Sequence, residues 1–171
     1  MTPSGDRKAV LGRRKALIGD RLEDLPRQIS ALENAMSAFG DDFDLDRLKA
    51  AFETEADMDA YNQVQALERA VGRTQNYVAE LSVNGVLLAG LDLPVDRDEG
   101  KAARAFEVLR EQSVIDGSLC RLMKRAQRAR SRLEHDYVSI PAGDLRTAAE
   151  LVLDCAGKFR RSYTPWIAAF L

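Results

Sequence analysis

Residues 18–40, IGDRLEDLPRQISALENAMSAFG, place apolar side chains in alternating steps of four and three. The apolar positions in this stretch are Ile18, Leu22, Leu25, Ile29, Leu32, Met36 and Phe39. This spacing is a heptad seam, which predicts a long helix that packs on a partner helix within the fold or across a dimer. Pro26 predicts a kink or a break in that helix, and Gly40 predicts its end.

The composition favours helix along the rest of the chain as well. Hydrophobic residues make up 46% of the 171 residues but aromatic residues only 6%, so aliphatic side chains and alanine must fill the core. Alanine, leucine and arginine are abundant, and all three favour helix. The length suits one domain with a core of its own. We therefore predict an all-α helical bundle of about five to seven helices over residues 1–171, with residues 1–5 frayed and a long helix over 6–40.

Periodicity and capping residues predict the other helices. We expect them at residues 45–52, from 57 to between 84 and 90, and at 101–112, 119–137, 145–161 and 166–171. Residues 91–100 predict a loop, and residues 140–143 predict a break. The predicted caps are Asp44, Asp57, either Asp116 or Ser118, and Asp144, while Thr164 and Pro165 predict the start of the last short helix.

Charge is unevenly distributed along the chain. The net charge is −2, so global charge does not indicate a nucleic-acid partner. Residues 41–59 are acidic, whereas residues 121–132 contain six cations and no acid: Arg121, Lys124, Arg125, Arg128, Arg130 and Arg132. At about 100° per residue, one stripe of the helix is formed by Arg121, Arg125, Arg128 and Arg132, with Lys124 beside it. Such a stripe is also typical of a helix face that is simply exposed to solvent. Arg130 falls on the apolar side, where an arginine needs an anionic partner or a functional role.

Residues 130–137, RSRLEHDY, contain the only histidine of the chain, His135. One histidine and two distant cysteines do not form a zinc site, and the sequence has no Walker or Rossmann glycine pattern. On an ideal helix, positions 130 and 135 lie about 140° apart. Arg130 and His135 can therefore meet at one phosphate only if the helix end is distorted or if two subunits share the site. This constraint favours a dimer.

The spacing of Arg130, four residues, His135, one residue and Tyr137 resembles the signature of the HEPN superfamily, in particular the HepT-like toxins. The helical surroundings over residues 57–162 are similar to the family's core as well. Two residues depart from the family pattern, since Ser131 stands where asparagine is usual and Glu134 where an apolar residue is usual. A carboxylate beside His135 would raise the pKa of the imidazole.

The resemblance implies a metal-independent endoribonuclease toxin that acts as a homodimer without a cofactor. Arg130 would bind the scissile phosphate and His135 would transfer protons, with Ser131 and Asp136 as supporting motif residues. Tyr137 would accept AMP from an MNT-type nucleotidyltransferase, the antitoxin that neutralises the toxin. The cations expected to hold flanking RNA phosphates are Arg121, Lys124, Arg125, Arg128 and Arg132.

Two alternatives stay open at this point. In the first alternative to the ribonuclease, the chain is a catalytically weak HEPN module that binds or scaffolds the nucleotidyltransferase. In the second, it is a plain helical interaction protein in which the motif is coincidental. In that last case His135 would be a surface or structural residue and Tyr137 a core residue. Buried thiols at Cys120 and Cys155, no signal peptide and no apolar stretch of about 18 residues predict a cytoplasmic protein without a membrane span.

Overall fold

The computed structural model describes residues 3–53, 57–94, 100–135 and 141–171, and of residues 3–6, 134 and 135 it describes the backbone alone. These ranges contain six helices and no strand: α1 (Pro3–Ser37), α2 (Leu45–Glu53), α3 (Met58–Leu88), α4 (Gly100–Glu111), α5 (Gly117–His135) and α6 (Ala142–Ile167). The predicted all-α helical bundle is confirmed. The first helix begins at Pro3, within the segment predicted to be frayed.

The heptad seam of α1 packs against α3 within the same chain. Its members Ile18, Leu25 and Leu32 are completely buried, and Phe39 is 2% exposed. Leu22, Ile29 and Met36 are partly buried at the margins of this contact. The seam is therefore used inside the fold. α1 is also continuous through Pro26, so the proline does not break it.

Polar side chains reinforce the contact between α1 and α3. The Tyr77 hydroxyl donates to Asp24 Oδ2 at 2.7 Å and accepts from Arg21 Nη1 at 3.1 Å. Arg21 also donates through Nε to Glu80 at 2.6 Å, and its guanidinium lies 4.4 Å from the centre of the Tyr77 ring. Because the tyrosine hydroxyl donates to it, the pKa of the Asp24 carboxyl is lowered. These bonds fix the register of the two long helices.

The central helix of the bundle is α3, which contacts each of the other five described helices. Its start is capped as predicted, since Asp57 accepts from the backbone N–H groups of Asp59 and Ala60. Shortly after its end, Gly90 takes the left-handed backbone conformation with φ +73°. The predicted cap Asp44 is also present and accepts from Asp46 N at 2.7 Å. Of the two candidates Asp116 and Ser118, Asp116 caps α5 and accepts from Leu119 N at 2.7 Å.

The C-terminal part of the chain differs from the prediction. Residues 145–161 and 166–171 were expected as two helices, but α6 runs unbroken from Ala142 to Ile167 and includes Pro165. Aromatic contacts hold the chain in register on both sides of the proline, since the Tyr163 ring lies 4.6 Å from Phe159 and 5.5 Å from Trp166. Burial of Tyr163 and Ile167 therefore outweighs the local cost of the proline.

The predicted cap of α6 is also wrong. Asp144 lies inside the first turn of α6, and the N-cap position is occupied by Pro141, which makes no side-chain capping bond. A carboxylate in the first turn still interacts favourably with the positive end of the helix dipole. Ala142 and Gly143, predicted to belong to a break, are the first residues of this helix.

Candidate nucleic-acid interface

The basic helix α5 presents its apolar and cationic sides in opposite directions, as its spacing predicts. Leu119, Cys120, Met123 and Ala126 are buried in the core. The four stripe arginines are all exposed: Arg121, Arg125, Arg128 and Arg132. The helix packs on α6, α4 and α3, which leaves a cleft on each side of its C-terminal half.

The first cleft, of about 700 Å³, separates α5 from the first turn of α4. Its cationic lining residues are Lys101, Lys124, Arg128 and Arg132. Gln127 and Ser131 complete the α5 wall, and residues 100–103 form the opposite wall. Two of the stripe arginines therefore line a concave surface and the other two lie outside it, which the helical spacing alone does not reveal.

Lys124, one of the predicted RNA-binding cations, forms an ion pair with an acid of α4. Its Nζ lies 2.6 Å from Glu107 Oε1 of α4, and the two side chains are 18% and 21% exposed. Glu107 also accepts from Arg110 Nε at 2.7 Å. The bond from Lys124 is the main reason why the pKa of the Glu107 carboxyl is lowered. Lys124 thus brings less net positive charge to the cleft than its sequence context predicts.

Arg130 lies on the other side of α5, in a second cleft of about 330 Å³ between α3 and α5. Two arginines of α3, Arg69 and Arg73, line the same cleft together with Asn76 and Leu133. Arg130 is half-buried, in agreement with its place on the less polar side of its helix. The cleft thus brings three guanidinium groups from two helices together around one concave surface.

The sequence prediction missed Arg69 and Arg73. They stand four residues apart on α3, and Asn76 follows three residues later, so the three share one helix face. That spacing was a detectable signal. It was overlooked because the two arginines lie about sixty positions from the motif in sequence, and only the packing of α3 against α5 brings them to Arg130.

Among the described residues, one carboxyl group also lines the cleft of Arg69, Arg73 and Arg130 (the arginine cleft). Glu68 is half-buried, and burial raises the pKa of its carboxyl, while a hydrogen bond from Gln65 Nε2 at 3.1 Å and the charge of Arg69 act in the opposite direction. A carboxylate with a raised pKa opposes the arginines less strongly as the pH falls. Among the described residues that line the cleft, three arginines outnumber this one carboxyl group.

Ser131 and Gln127 line the first cleft, and each also makes a hydrogen bond within the protein. The Ser131 hydroxyl donates to the carbonyl oxygen of Gln127 at 2.9 Å, one turn earlier on α5. Gln127 Oε1 accepts from Nε2 of the fully buried Gln75 at 3.0 Å. This bond ties α5 to α3. The Ser131 hydroxyl proton is therefore engaged inside its own helix.

The motif is described only as far as the backbone of His135. α5 stays helical from Gly117 through His135, so positions 130 and 135 remain about 140° apart around its axis. The described residues thus contain no break of the helix that would bring the two positions together. Asp136 and Tyr137 lie outside the described residues, as do the side chains of Glu134 and His135.

Among the residues that the structure describes, no three His, Cys, Asp or Glu side chains are grouped closely enough to hold a metal ion. None of the helices in the described ranges combines the length and the apolar character needed to cross a membrane. Both cysteines are buried free thiols.

Comparison with known proteins adds no assignment to this geometry. No protein-family model matches the chain, and no curated protein sequence is significantly similar to it.

Proposed function

We propose that the chain is a metal-independent endoribonuclease of the HEPN toxin type. One observation carries the proposal: Arg130 shares a cleft with two further arginines, and it stands five residues before the only histidine of the chain. Three guanidinium groups around a small cleft suit a phosphodiester, because each guanidinium is permanently charged and forms paired hydrogen bonds with phosphate oxygens. The resemblance of the Arg130, His135 and Tyr137 spacing to the HEPN motif is the second support.

RNA supplies its own nucleophile in this reaction. The 2′-hydroxyl oxygen attacks the adjacent phosphorus while its proton passes to a base, and the bond from phosphorus to the 5′-oxygen breaks as that oxygen receives a proton. The products are a 2′,3′-cyclic phosphate and a 5′-hydroxyl end. His135 is the side chain whose ordinary pKa lies closest to neutrality, so it is the proposed proton-transfer residue. Arg130 stabilises the charge that develops on the phosphate.

The proposed active form is a homodimer. Positions 130 and 135 lie about 140° apart on a helix that stays regular between them, which disfavours a complete site within one chain. In a symmetric dimer, Arg130 of one subunit meets His135 of its partner, and the two-fold axis generates the same pairing twice. A complete site therefore requires a second chain, whichever surface joins the two subunits.

Tyr137 is the proposed regulatory residue, and an MNT-type nucleotidyltransferase is the proposed partner. An AMP group on Tyr137 would place a negatively charged phosphodiester and a nucleoside two residues after His135. This bulk and charge would compete with the RNA phosphate for the arginines. Tyr137→Phe protein is expected to accept no AMP from the partner enzyme, and AMP on that variant would overturn the assignment.

The proposal is tested by incubating wild-type, His135→Ala and Arg130→Ala proteins with total RNA in the presence of EDTA. Cleavage by the wild type alone, with cyclic phosphate ends, is the expected result. Arg160→Ala is a matched control, since Arg160 is exposed on α6 and lines neither of the two clefts beside α5. Equal cleavage by wild-type and His135→Ala proteins would overturn the proposal. Cleavage by neither protein would favour the binding-module candidate once mass spectrometry shows that Tyr137 carries no AMP.

A catalytically weak HEPN module that binds the nucleotidyltransferase is the second candidate. It is favoured by the bond from the Ser131 hydroxyl to the Gln127 carbonyl, because this bond engages the residue that stands where the family has asparagine. Expression of the chain alone separates the two candidates, since a binding module is harmless to the cell and a ribonuclease is toxic. Ser131→Asn would restore toxicity only if the second candidate is correct.

A further inference from the structure

Arg69 and Arg73 line two clefts at once. On one side of α3 they line the arginine cleft that contains Arg130. On the other side they line a groove of about 610 Å³ between α1 and α3. Both arginines are exposed and lie one turn apart, so together they form a cationic ridge between the two depressions. A ligand that runs from one depression to the other must cross this ridge.

The groove between α1 and α3 differs chemically from the arginine cleft. Alanine side chains form much of its surface, among them Ala31 and Ala35 of α1 and Ala38 just after its end. The amides of Asn34 and Gln63 stand exposed at its walls. Small apolar side chains leave room for flat rings, and amides both donate and accept hydrogen bonds, as base edges do. The groove therefore suits uncharged ring systems, whereas the ridge suits the anions that connect them.

We infer that Arg69 and Arg73 bind the RNA phosphates next to the one at Arg130, and that they lead a single strand over α3 into the groove between α1 and α3. The inference rests on the proposed function in taking RNA as the ligand, and it adds the path and the strandedness of that RNA. A single strand can place its phosphates on the ridge and turn its bases into the groove. A duplex pairs its base edges internally and has no bases to insert.

The first test measures binding separately from cleavage. A short single-stranded RNA with 2′-O-methyl groups at every position binds but cannot be cut, since its nucleophile is blocked. Arg69→Gln/Arg73→Gln is expected to lower its affinity about tenfold at low salt and to reduce the slope of log affinity against log salt by about 1.4. Arg13→Gln/Arg160→Gln removes the same charge from exposed positions outside both clefts and is expected to change neither value.

The second test addresses the groove itself. Ala31→Glu places a carboxylate on the exposed α1 wall of the groove, where it would repel the strand beyond the ridge. Ala16→Glu makes the same change at an exposed position of the same helix outside the groove. Ala31→Glu is expected to weaken binding of the single strand at least threefold, and Ala16→Glu to leave it unchanged. Circular dichroism and thermal unfolding confirm that both variants keep the fold.

The outcomes separate this inference from the proposed ribonuclease. Unchanged affinity and salt slope in Arg69→Gln/Arg73→Gln would overturn the inference, even if His135→Ala had lost cleavage. Loss of binding in that variant, together with full cleavage by His135→Ala, would overturn the proposed ribonuclease mechanism but support the proposed path of the RNA over Arg69 and Arg73. Equally tight binding of a duplex of the same sequence would overturn the single-strand path. A wild type that binds no RNA would overturn both proposals.

Discussion

Lys124 of α5 and Glu107 of α4 form an ion pair of 2.6 Å at the edge of a cleft whose other cationic side chains are exposed. Both members are largely buried, at 18% and 21% exposure, so water screens their attraction less than it does at the surface. The pair joins the two helices that bound the cleft. Glu107 thereby links the stability of the α4–α5 contact to the charge that the cleft presents.

Glu107→Gln is expected to lower the free energy of unfolding by about 1 kcal/mol near neutral pH, because it removes the partly buried ion pair with Lys124. The folded pKa of Glu107 is lowered, so its contribution is complete above its ordinary value of 4.5 and is lost as the pH falls through the lower folded pKa. Urea unfolding should therefore show a difference between wild type and variant that shrinks below pH 4.5. Glu111→Gln on the same helix is the control, since Glu111 is 45% exposed and its ion pair with Arg104 is 3.5 Å long. A pH-independent difference would contradict this account.

The same variant should act in the opposite direction on RNA binding. Removal of the Glu107 carboxylate takes away one negative charge that contacts Lys124 beside Arg128 in the cleft. Glu107→Gln is therefore expected to bind single-stranded RNA more tightly and to increase the salt slope by about 0.7, the increment for one further phosphate contact. Titration of a labelled oligonucleotide at several salt concentrations measures both. An unchanged slope would show that Lys124 serves the fold alone.

Tyr163 and Gly85 are expected to show coupled effects on stability. The buried Tyr163 hydroxyl donates to the Leu81 carbonyl at 2.6 Å, and a Cβ at Gly85 would overlap that hydroxyl and lie 2.9 Å from Tyr163 Cζ. Tyr163→Phe should cost about 1–2 kcal/mol through the lost bond, and Gly85→Ala about 1–3 kcal/mol through overpacking. Because phenylalanine lacks the overlapping oxygen, the double variant should lose less stability than the sum. Chemical denaturation of all four proteins completes the cycle, and strict additivity would refute the contact.

The sequence predicted those parts of the fold that local patterns determine. The seam of α1 appears in the core as predicted, and Asp44, Asp57 and Asp116 cap helices because a capping bond spans only two or three residues. The uninterrupted α6 was not predictable in this way. Its continuity through Pro165 depends on the burial of Tyr163 against α3, which is a contact distant in sequence.

In the candidate site too, the features that depend on local spacing were predictable and those that depend on contacts between separate helices were not. The exposed stripe of α5 and the half-buried position of Arg130 follow from helical spacing, so they were predicted. The ion pair of Lys124 with Glu107 and the approach of Arg69 to Arg130 require the packing of separate helices, so they were not. The paired site with His135 and the modification of Tyr137 stay predictions.

Both cysteines should be unreactive in the folded protein. Burial raises the pKa of the Cys120 thiol to about 11 and that of the Cys155 thiol to about 12, which leaves almost no thiolate near neutral pH. A disulfide-exchange reagent at about pH 8 is expected to label neither at a rate comparable to a free thiol in water, whose pKa is about 8.5. In denaturant both should react completely. Rapid labelling of Cys120 in the native protein would show that the α4–α5 contact opens.

The two halves of the cationic stripe should contribute unequally to RNA binding. Arg128 and Arg132 line the cleft between α4 and α5, whereas Arg121 and Arg125 do not. Concave walls exclude water and focus the field of the charges that line them, so a phosphate in the cleft is held more strongly than one on the open helix. Arg128→Gln/Arg132→Gln is therefore expected to weaken binding several-fold more than Arg121→Gln/Arg125→Gln, although both variants lose the same charge from the same helix. Since the net charge changes equally, a difference in affinity at fixed salt reports the cleft. Equal losses would mean that α5 attracts RNA by its overall charge, and that the cleft between α4 and α5 lies outside the path of the strand.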